Sequence, residues 1–320
     1  MSYIVGAYAT APSTFAWDEN LESEYYEQLK SMDNIQGIEH PFVGKLHPFD
    51  DDWFLANIDS RWQFVFTSIP GVMANLAHNP HFGIASINED GRQAAIEFYQ
   101  QARLAIFKLN KHLGKHAVSH MKIHTAPTIS AKTSSSKQAL HTSLETILSW
   151  DWYGAKLLIE HCDAFIPEQS PEKGFLSLED EIDTVTTINK KLSCNMGVSV
   201  NWGRSAIETR SVQGPIKHIK MAYQSKLLRG IIFSGASGED TPYGQWKDSH
   251  MPPAKAFNIP HYAKNSLLTI EQIEKSLQHC DCDNLDFIGG KISLSPNTAT
   301  VSERVSYIQS LLTLLDKAIK

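Results

Sequence analysis

The stretch that decides the fold runs from Lys156 to Asp163 and reads KLLIEHCD. A short apolar run that ends in glutamate, histidine and aspartate is typical of a buried strand whose last residues reach a polar rim. The pattern recurs elsewhere, for example in MKIHTAP, from Met121 to Pro127. Because the carboxyl ends of parallel strands meet on one side of a sheet, these polar ends predict a shared site.

Eight such runs alternate with segments of helical periodicity. The predicted strands are Tyr3–Tyr8, Gly37–His40, Gln63–Thr67, Ser119–His124, Lys156–Glu160, Gly197–Asn201, Gly230–Ser234 and Leu285–Ile292. The clearest predicted helices are Leu21–Met32, Gln93–Leu113, Lys137–Trp150, Leu178–Lys191, Ile216–Leu228, Ile270–His279 and Val301–Ile319. This alternation predicts an α/β protein, a single (β/α)8 TIM barrel with eight parallel strands over residues 1–320. A doubly wound open sheet competes, but no G-x-G-x-x-G follows the first strand.

Composition and charge restrict the classes of partner. The chain has 320 residues, 42% of them hydrophobic, and a net charge of −6, which gives no general attraction to nucleic acid or to an anionic membrane. No segment reaches the ~18 uninterrupted apolar residues of a membrane span, and the start, MSYIVGAYATAP, reads as a strand rather than a targeting segment.

Four scattered cysteines, Cys162, Cys194, Cys280 and Cys282, do not form a disulfide scaffold, so we expect a cytoplasmic protein. Homo-oligomerisation stays open.

Long connections and charged strand ends indicate where chemistry takes place. The segments Pro41–Arg61, Ser68–Asp90 and Gly235–Leu267 follow strands and are expected to cover the site at the carboxyl ends. Glu39 and His40 are neighbours on one strand and point to opposite faces, so only one of them can enter the pocket.

A lysine inside the eighth apolar run is the most informative single residue. Lys291 is expected to be buried, and a buried ammonium group needs a carboxylate partner. Glu160, at the end of the fifth strand, is the expected partner. Glu160 and His124 are also the candidate bases.

These segments resemble the xylose isomerase-like barrel superfamily, which includes sugar isomerases, sugar epimerases and endonuclease IV-type repair enzymes. The resemblance covers most of the chain as strand order, but its residue motifs are confined to LLIEHCD, MKIHTAP and WKDSHMPP. It implies that Glu160 stands where the superfamily has a metal-binding glutamate and His124 where it has a histidine. Asp248 and His250 match the Asp-x-His loop after the seventh strand.

Several positions depart from the pattern of that superfamily. Asn201 stands where a metal-binding aspartate is common, and Ser234 where a histidine is frequent. Lys291 lies near the usual place of a glutamate ligand, and Arg204 stands where some members have histidine. An amide and an ammonium group in place of carboxylates remove the negative charge that a divalent cation requires.

Two alternatives follow for the cofactor. A reduced divalent-metal site can use Glu160 with His124 or His250. Otherwise no cofactor is required, and Lys291 supplies the fixed positive charge; we favour this second alternative. The expected substrate-binding residues are Glu39, Asn201, Trp202, Arg204, Asp248 and His250, with Trp202 stacking on a sugar face or packing on a helix.

The predicted function is that of a sugar or keto-sugar isomerase or epimerase that removes a proton next to a carbonyl group. Glu160 or His124 acts as the base, and Lys291, Arg204 or a metal stabilises the enediolate oxygen. One alternative is a lyase or aldolase in which Lys291 forms a Schiff base. Another is a non-catalytic sugar-binding barrel. In every case the expected partner is a small carbohydrate.

Overall fold

Eight parallel strands form a closed barrel in chain order. The computed structural model describes residues 1–12 and 16–319. The strands are β1 (Tyr3–Val5), β2 (Ile35–Pro41), β3 (Gln63–Thr67), β4 (Val118–Ile123), β5 (Lys156–His161), β6 (Gly197–Asn201), β7 (Leu228–Phe233) and β8 (Phe287–Gly290). Each strand pairs with its neighbours in sequence, and β8 pairs with β1. The protein is therefore an α/β TIM barrel, which confirms the predicted fold class.

Helices surround the barrel. Those in the described part of the chain are α1 (Ala7–Thr10), α2 (Glu19–Lys30), α3 (Asp51–Asn57), α4 (Ile69–His78), α5 (Glu89–Leu113), α6 (Lys137–Leu148), α7 (Leu178–Leu192), α8 (Trp202–Thr209), α9 (Gln213–Gln224), α10 (Ile270–Leu277) and α11 (Val301–Ala318). The Ser177 and Thr269 side chains cap α7 and α10 by accepting backbone N–H groups, which confirms both predicted helix starts. None of these helices combines the length and apolarity needed to cross a bilayer.

The barrel interior has an apolar layer below a polar one. Ile4, Val65, Leu158, Ile232 and Phe287 form a buried cluster separate from the larger core between strands and helices. Successive residues of a strand face opposite sides, so the residue two positions after Leu158 also points inward. That residue is glutamate, and the polar layer begins there, at the carboxyl ends of the strands.

The first predicted strand was too long. The strand ends at Val5, and Ala7–Thr10 forms a short helix, so the prediction of a strand over Tyr3–Tyr8 is wrong in its second half. The other strands lie within two residues of their predicted bounds. The connections Pro41–Arg61 and Ser68–Asp90 contain α3 and α4, which are too short to show a clear apolar period in the sequence.

Candidate active site

A continuous series of buried ion pairs crosses the mouth of the barrel. We call it the ionic chain, and its members in order of contact are Lys291, Glu39, Lys122, Glu160, Arg204 and Asp248. Lys291 Nζ lies 2.6 Å from Glu39 Oε1, and Lys122 Nζ contacts the other oxygen of Glu39. Lys122 Nζ also lies 2.8 Å from Glu160 Oε1. These four side chains are fully shielded from solvent, so each charge depends on its neighbours.

Arginine and a second lysine extend the ionic chain to the long loop after β7. Arg204 Nη1 donates to Glu160 Oε2 over 2.7 Å, and Arg204 Nε donates to Asp248 Oδ2 over 3.0 Å. Lys173 Nζ, from the segment after β5, also lies 3.0 Å from Asp248 Oδ2. The ion pairs of Asp248 thus hold the Gly235–Leu267 connection at the carboxyl ends of the strands, where the sequence predicts it to lie.

Ordinary secondary-structure rules place these side chains. Lys122 on β4 pairs in register with Leu158 on β5, so Glu160 lies only one inward position further along the barrel. Arg204 lies in the first turn of α8, and its backbone N–H donates to Asn201 Oδ1, which caps the helix. Lys291 follows β8 directly, and its backbone N–H donates to the carbonyl of Phe233 on β7.

The two central carboxylates are held in their ionised forms. Burial alone would raise the pKa of Glu39, but the charges of Lys122 and Lys291 outweigh burial and lower it. Burial opposes ionisation of Glu160 too, and Lys122 and Arg204 place its pKa well below the usual range. Both oxygens of Glu160 are also occupied by contacts with Lys122, His124 and Arg204. Glu160 is therefore better suited to organising the site than to acting as its base.

Both ring nitrogens of His124 contact neighbouring side chains. Its Nδ1 lies 2.8 Å from Ser68 Oγ, and its Nε2 lies 3.0 Å from Glu160 Oε2. Burial lowers the pKa of His124 to about 4, which keeps the ring neutral. With both ring nitrogens occupied, this histidine fixes the orientation of Glu160.

His250 and Tyr8 lie beside the ionic chain and have fewer hydrogen-bond partners than its members. Nδ1 of His250 is buried, lies 3.3 Å from Asp248 Oδ1 and makes no hydrogen bond among the described residues. Burial, followed by the charges of Lys291 and Arg204, lowers the pKa of His250 to about 3.

Tyr8 connects the ionic chain to a cleft. Its hydroxyl oxygen accepts a hydrogen bond from Lys291 Nζ over 3.2 Å, so the hydroxyl hydrogen stays available to a ligand. Tyr8 also lines a cleft of about 280 Å³ between the chain segments that follow β1 and β2. A small molecule in the cleft would contact Tyr8, whose hydroxyl group contacts Lys291 Nζ.

The donor set of the barrel mouth does not fit the divalent metal that the superfamily implies. Both oxygens of Glu160 already accept from Lys122, His124 and Arg204. Asn201 Oδ1 accepts from Ser234 Oγ and from the backbone N–H of Arg204. Three fixed cations in this space would repel a further one.

The reduced site in which Glu160 and His124 or His250 bind a metal stays a prediction, and the group of three metal-binding side chains that the structure brings together lies elsewhere. Over the described residues, one set of histidine and carboxylate groups has its ligand atoms within 4.8 Å of one another, and it consists of His161, Glu208 and His218. That set lies on the other face of β5, outside the barrel.

The structure brings most predicted site residues together and corrects the predicted partner of Lys291. Glu160, His124 and Lys291 share one cluster, but the carboxylate partner of Lys291 is Glu39 and not Glu160, because Lys122 stands between Glu160 and Lys291. Of the neighbouring pair on β2, Glu39 faces inward, whereas the ring of His40 packs against Phe54 and Phe66 outside the barrel.

Trp202 does not face the pocket. It is fully buried, and its indole N–H donates to Ser276 Oγ on α10 over 3.0 Å, so stacking on a sugar is wrong and helix packing is its role. Sequence reasoning missed Lys122, Lys173 and Tyr8. Lys122 had a readable signal, because it lies two residues before His124 on the same strand and so shares its face.

A closed barrel of eight parallel strands with ionised side chains at their carboxyl ends defines the class, a TIM barrel. Solved structures with this fold include D-psicose 3-epimerase, at a TM-score of 0.59 and 14% identity, covering 100% of this chain and 99% of that one. A sugar phosphate isomerase/epimerase from Parabacteroides distasonis has a TM-score of 0.56 and 10% identity, with 100% of both chains covered. Identities this low establish the fold alone.

The sequence also assigns a family. Residues 4–307 match the family described as "Domain of unknown function (DUF4862)", and the chain belongs to it. The uncharacterized protein STM3670 of Salmonella typhimurium is 32% identical over 320 residues, which cover 99% of this chain and 98% of that protein.

Proposed function

We propose that this protein is an isomerase or epimerase of a small sugar or keto-sugar and that it works by proton transfer next to a carbonyl group without a metal in that step. The observation that carries the proposal is the ionic chain beside His250 and Tyr8. Nδ1 of His250 has no hydrogen-bond partner among the described residues, and the Tyr8 hydroxyl accepts from Lys291 while its own hydrogen stays available. The barrel neighbours named above, an epimerase and an isomerase/epimerase, support the substrate class.

His250 is the proposed proton acceptor, in place of Glu160 or His124. Its ring is neutral at physiological pH because its pKa is about 3, and its Nδ1 has no hydrogen-bond partner among the described side chains and backbone groups. Lys291 and Arg204 contribute to that low pKa. Negative charge that forms on the substrate beside these cations cancels part of their field, so the basicity of His250 rises as the reaction proceeds.

Lys291 and Tyr8 are the proposed stabilisers of the enediolate oxygen. An ammonium group and a phenolic hydroxyl 3.2 Å apart provide two donors to one oxygen atom, and the Lys291 side chain is fully buried. Donors that are already oriented stabilise developing charge without further reorganisation. Glu39 holds Lys291 in place through its 2.6 Å contact.

The two other functions have less support. A Schiff base requires a free amine nitrogen, whereas Lys291 Nζ donates to Glu39 and Lys122 Nζ donates to Glu160. A borohydride trap in the presence of substrate tests this route directly. A non-catalytic sugar-binding role predicts binding without any exchange of substrate protons.

Deuterium exchange tests the proposed function. A thermal-shift screen of aldoses, ketoses and sugar acids identifies ligands that stabilise the native state. Each ligand is then incubated with the protein in D2O. We expect wild type to introduce deuterium at the carbon next to the carbonyl group, detected by NMR, and His250→Gln to lower the exchange rate by about 10²–10⁴-fold.

A matched histidine variant controls for general effects. His141 lies on α6, remote from the barrel mouth, and pairs with Glu145, so His141→Gln should exchange at the wild-type rate. Ligand binding without deuterium incorporation by wild type would refute proton transfer. Normal exchange by His250→Gln would refute His250 as the acceptor.

A further inference from the structure

The face of β5 opposite the ionic chain carries a second buried polar cluster. We call it the outer cluster, and it consists of His161, Glu181, Glu208 and His218. His161 Nε2 lies 2.9 Å from Glu208 Oε2, and His218 Nε2 lies 3.5 Å from Glu208 Oε1. The two histidine side chains are at most 4% exposed and Glu208 is 10% exposed. The proposed proton transfer uses none of these groups.

The spacing of three ligand atoms suits a tetrahedral metal ion. Zinc bonds to histidine nitrogen and carboxylate oxygen at about 2.0–2.1 Å, which places neighbouring ligand atoms of a tetrahedron about 3.3 Å apart. The distances of 2.9 and 3.5 Å on either side of the Glu208 carboxylate bracket that value. All three ligand atoms lie within 4.8 Å of one another. The two distances end on different oxygens of Glu208, so side-chain shifts of up to about 1.5 Å would complete the geometry.

Each potential ligand is already oriented by another group. Nδ1 of His161 contacts Glu181 Oε2 at 2.8 Å, and Nδ1 of His218 contacts Ser205 Oγ at 2.9 Å. Glu208 Oε2 also accepts the backbone N–H of Ala164 at 2.9 Å. A carboxylate or hydroxyl on the far nitrogen is the usual device that fixes a metal-binding histidine, because it selects the tautomer whose other nitrogen is a free ligand.

The charges of the outer cluster also favour a cation. Within the described part of the chain, no lysine or arginine forms an ion pair with Glu181 or Glu208; their charged-group contacts are with His161 and His218. Two shielded carboxylates need compensating positive charge. A proton on His161 supplies one unit, whereas a divalent ion bound to neutral histidines supplies two and balances both carboxylates.

We propose that His161, Glu208 and His218 bind a divalent zinc ion that joins β5 to α8 and α9. Two imidazole nitrogens and one carboxylate oxygen are ligands that zinc prefers, and a water molecule fills the fourth position. The ion connects layers of the fold outside the barrel mouth. Its role is to stabilise the packing of these elements, and it does not depend on the proposed catalytic reaction.

Metal content and thermal stability of the purified full-length protein test this site. After exposure to zinc and exhaustive dialysis, we expect about one zinc per chain by elemental analysis. A chelator should lower the melting temperature by about 5 °C, and zinc should restore it. His218→Gln is the informative variant, because it removes one ligand and leaves the contacts of His161 with both carboxylates intact. It should lose the zinc and the response to chelator.

Control variants exclude zinc bound elsewhere. His141→Gln removes a histidine that pairs with Glu145 on the same helix, and the double variant C280S/C282S removes the C-x-C thiols; both should keep the zinc. Glu208→Gln should lose it, as a second test of the ligand set. A wild-type protein without zinc and with a melting temperature that ignores chelator would overturn the site and leave a protonated His161. Equal zinc in His218→Gln, Glu208→Gln and the controls would overturn it as well.

Discussion

Replacement of Lys122 by methionine removes the central cation of the ionic chain. Lys122 is fully buried and contacts both Glu39 and Glu160. Methionine has a similar volume, so the change removes charge with little change in packing. The stability of the variant therefore measures how strongly the buried ion pairs depend on one another.

The expected loss follows from the contacts that remain. Removal of one partner from a buried ion pair costs about 3–5 kcal/mol, because the other charge stays shielded from water. In Lys122→Met, Glu39 retains Lys291 and Glu160 retains Arg204, so neither carboxylate is left without a cation. We therefore expect the lower end of that range, about 3 kcal/mol of unfolding free energy at pH 7.

The loss should depend on pH in a defined direction. The pKa values of Glu39 and Glu160 are lowered from 4.5 in the folded protein. Their charge interactions thus stabilise the fold above about pH 4.5 and are lost as the pH falls through the lowered values. Without Lys122 both folded pKa values rise. The deficit of the variant should be full at neutral pH and shrink as the pH falls toward the wild-type pKa values.

Urea unfolding at neutral and mildly acidic pH measures this deficit. The control is Lys156→Met, because Lys156 is 55% exposed and contacts Asp286 at 3.2 Å; its expected effect is below about 1 kcal/mol. The double variant K122M/E39Q should be less destabilised than the sum of the single changes, since it removes opposite charges together. A Lys122→Met deficit under about 1 kcal/mol, or one that does not change with pH, would refute the reasoning.

Two further predictions concern the outer layer of the barrel. Ser177→Ala removes the side chain that accepts the Asp180 N–H at the start of α7, and it should cost about 1 kcal/mol in urea unfolding; a cost indistinguishable from zero would mean that the cap is dispensable. Leu315→Ala opens a cavity beneath α11, where Leu315 is fully buried, and should cost about 2–5 kcal/mol. The exposed Leu104 on α5 is its control, and equal losses for the two leucine variants would contradict the burial argument.

The sequence predicts the barrel well because its signals are local. An apolar run with a polar end identifies each strand, and helical periodicity identifies the long helices between them. The short helix Ala7–Thr10 has no such signal, because four residues span barely one turn. The sequence predicts it as a continuation of the first strand, since its alanine and tyrosine residues extend the apolar run of β1.

The sequence predicts which residues belong to the candidate site but not which of their charges form pairs. Alternation along each strand was sufficient to place Glu39, Glu160 and His124 on the inner face. The partner of each charge depends on the strand order around the barrel and on side-chain length. Lys122, on β4, reaches both carboxylates and separates Glu160 from Lys291. No pattern within a single segment contains that information.

The two ionised faces of β5 have a consequence for how the strand finds its register during folding. Glu160 points inward to Lys122 and Arg204, while the adjacent His161 points outward to two carboxylates. A slip by one residue would exchange the two faces. It would press the Glu160 carboxylate against Glu181 and Glu208 and bring an imidazole among buried cations. Repulsion between like charges would destabilise the misaligned strand on both of its faces. Electrostatics therefore help to specify the register, because apolar residues of similar size distinguish it only weakly from a shifted one.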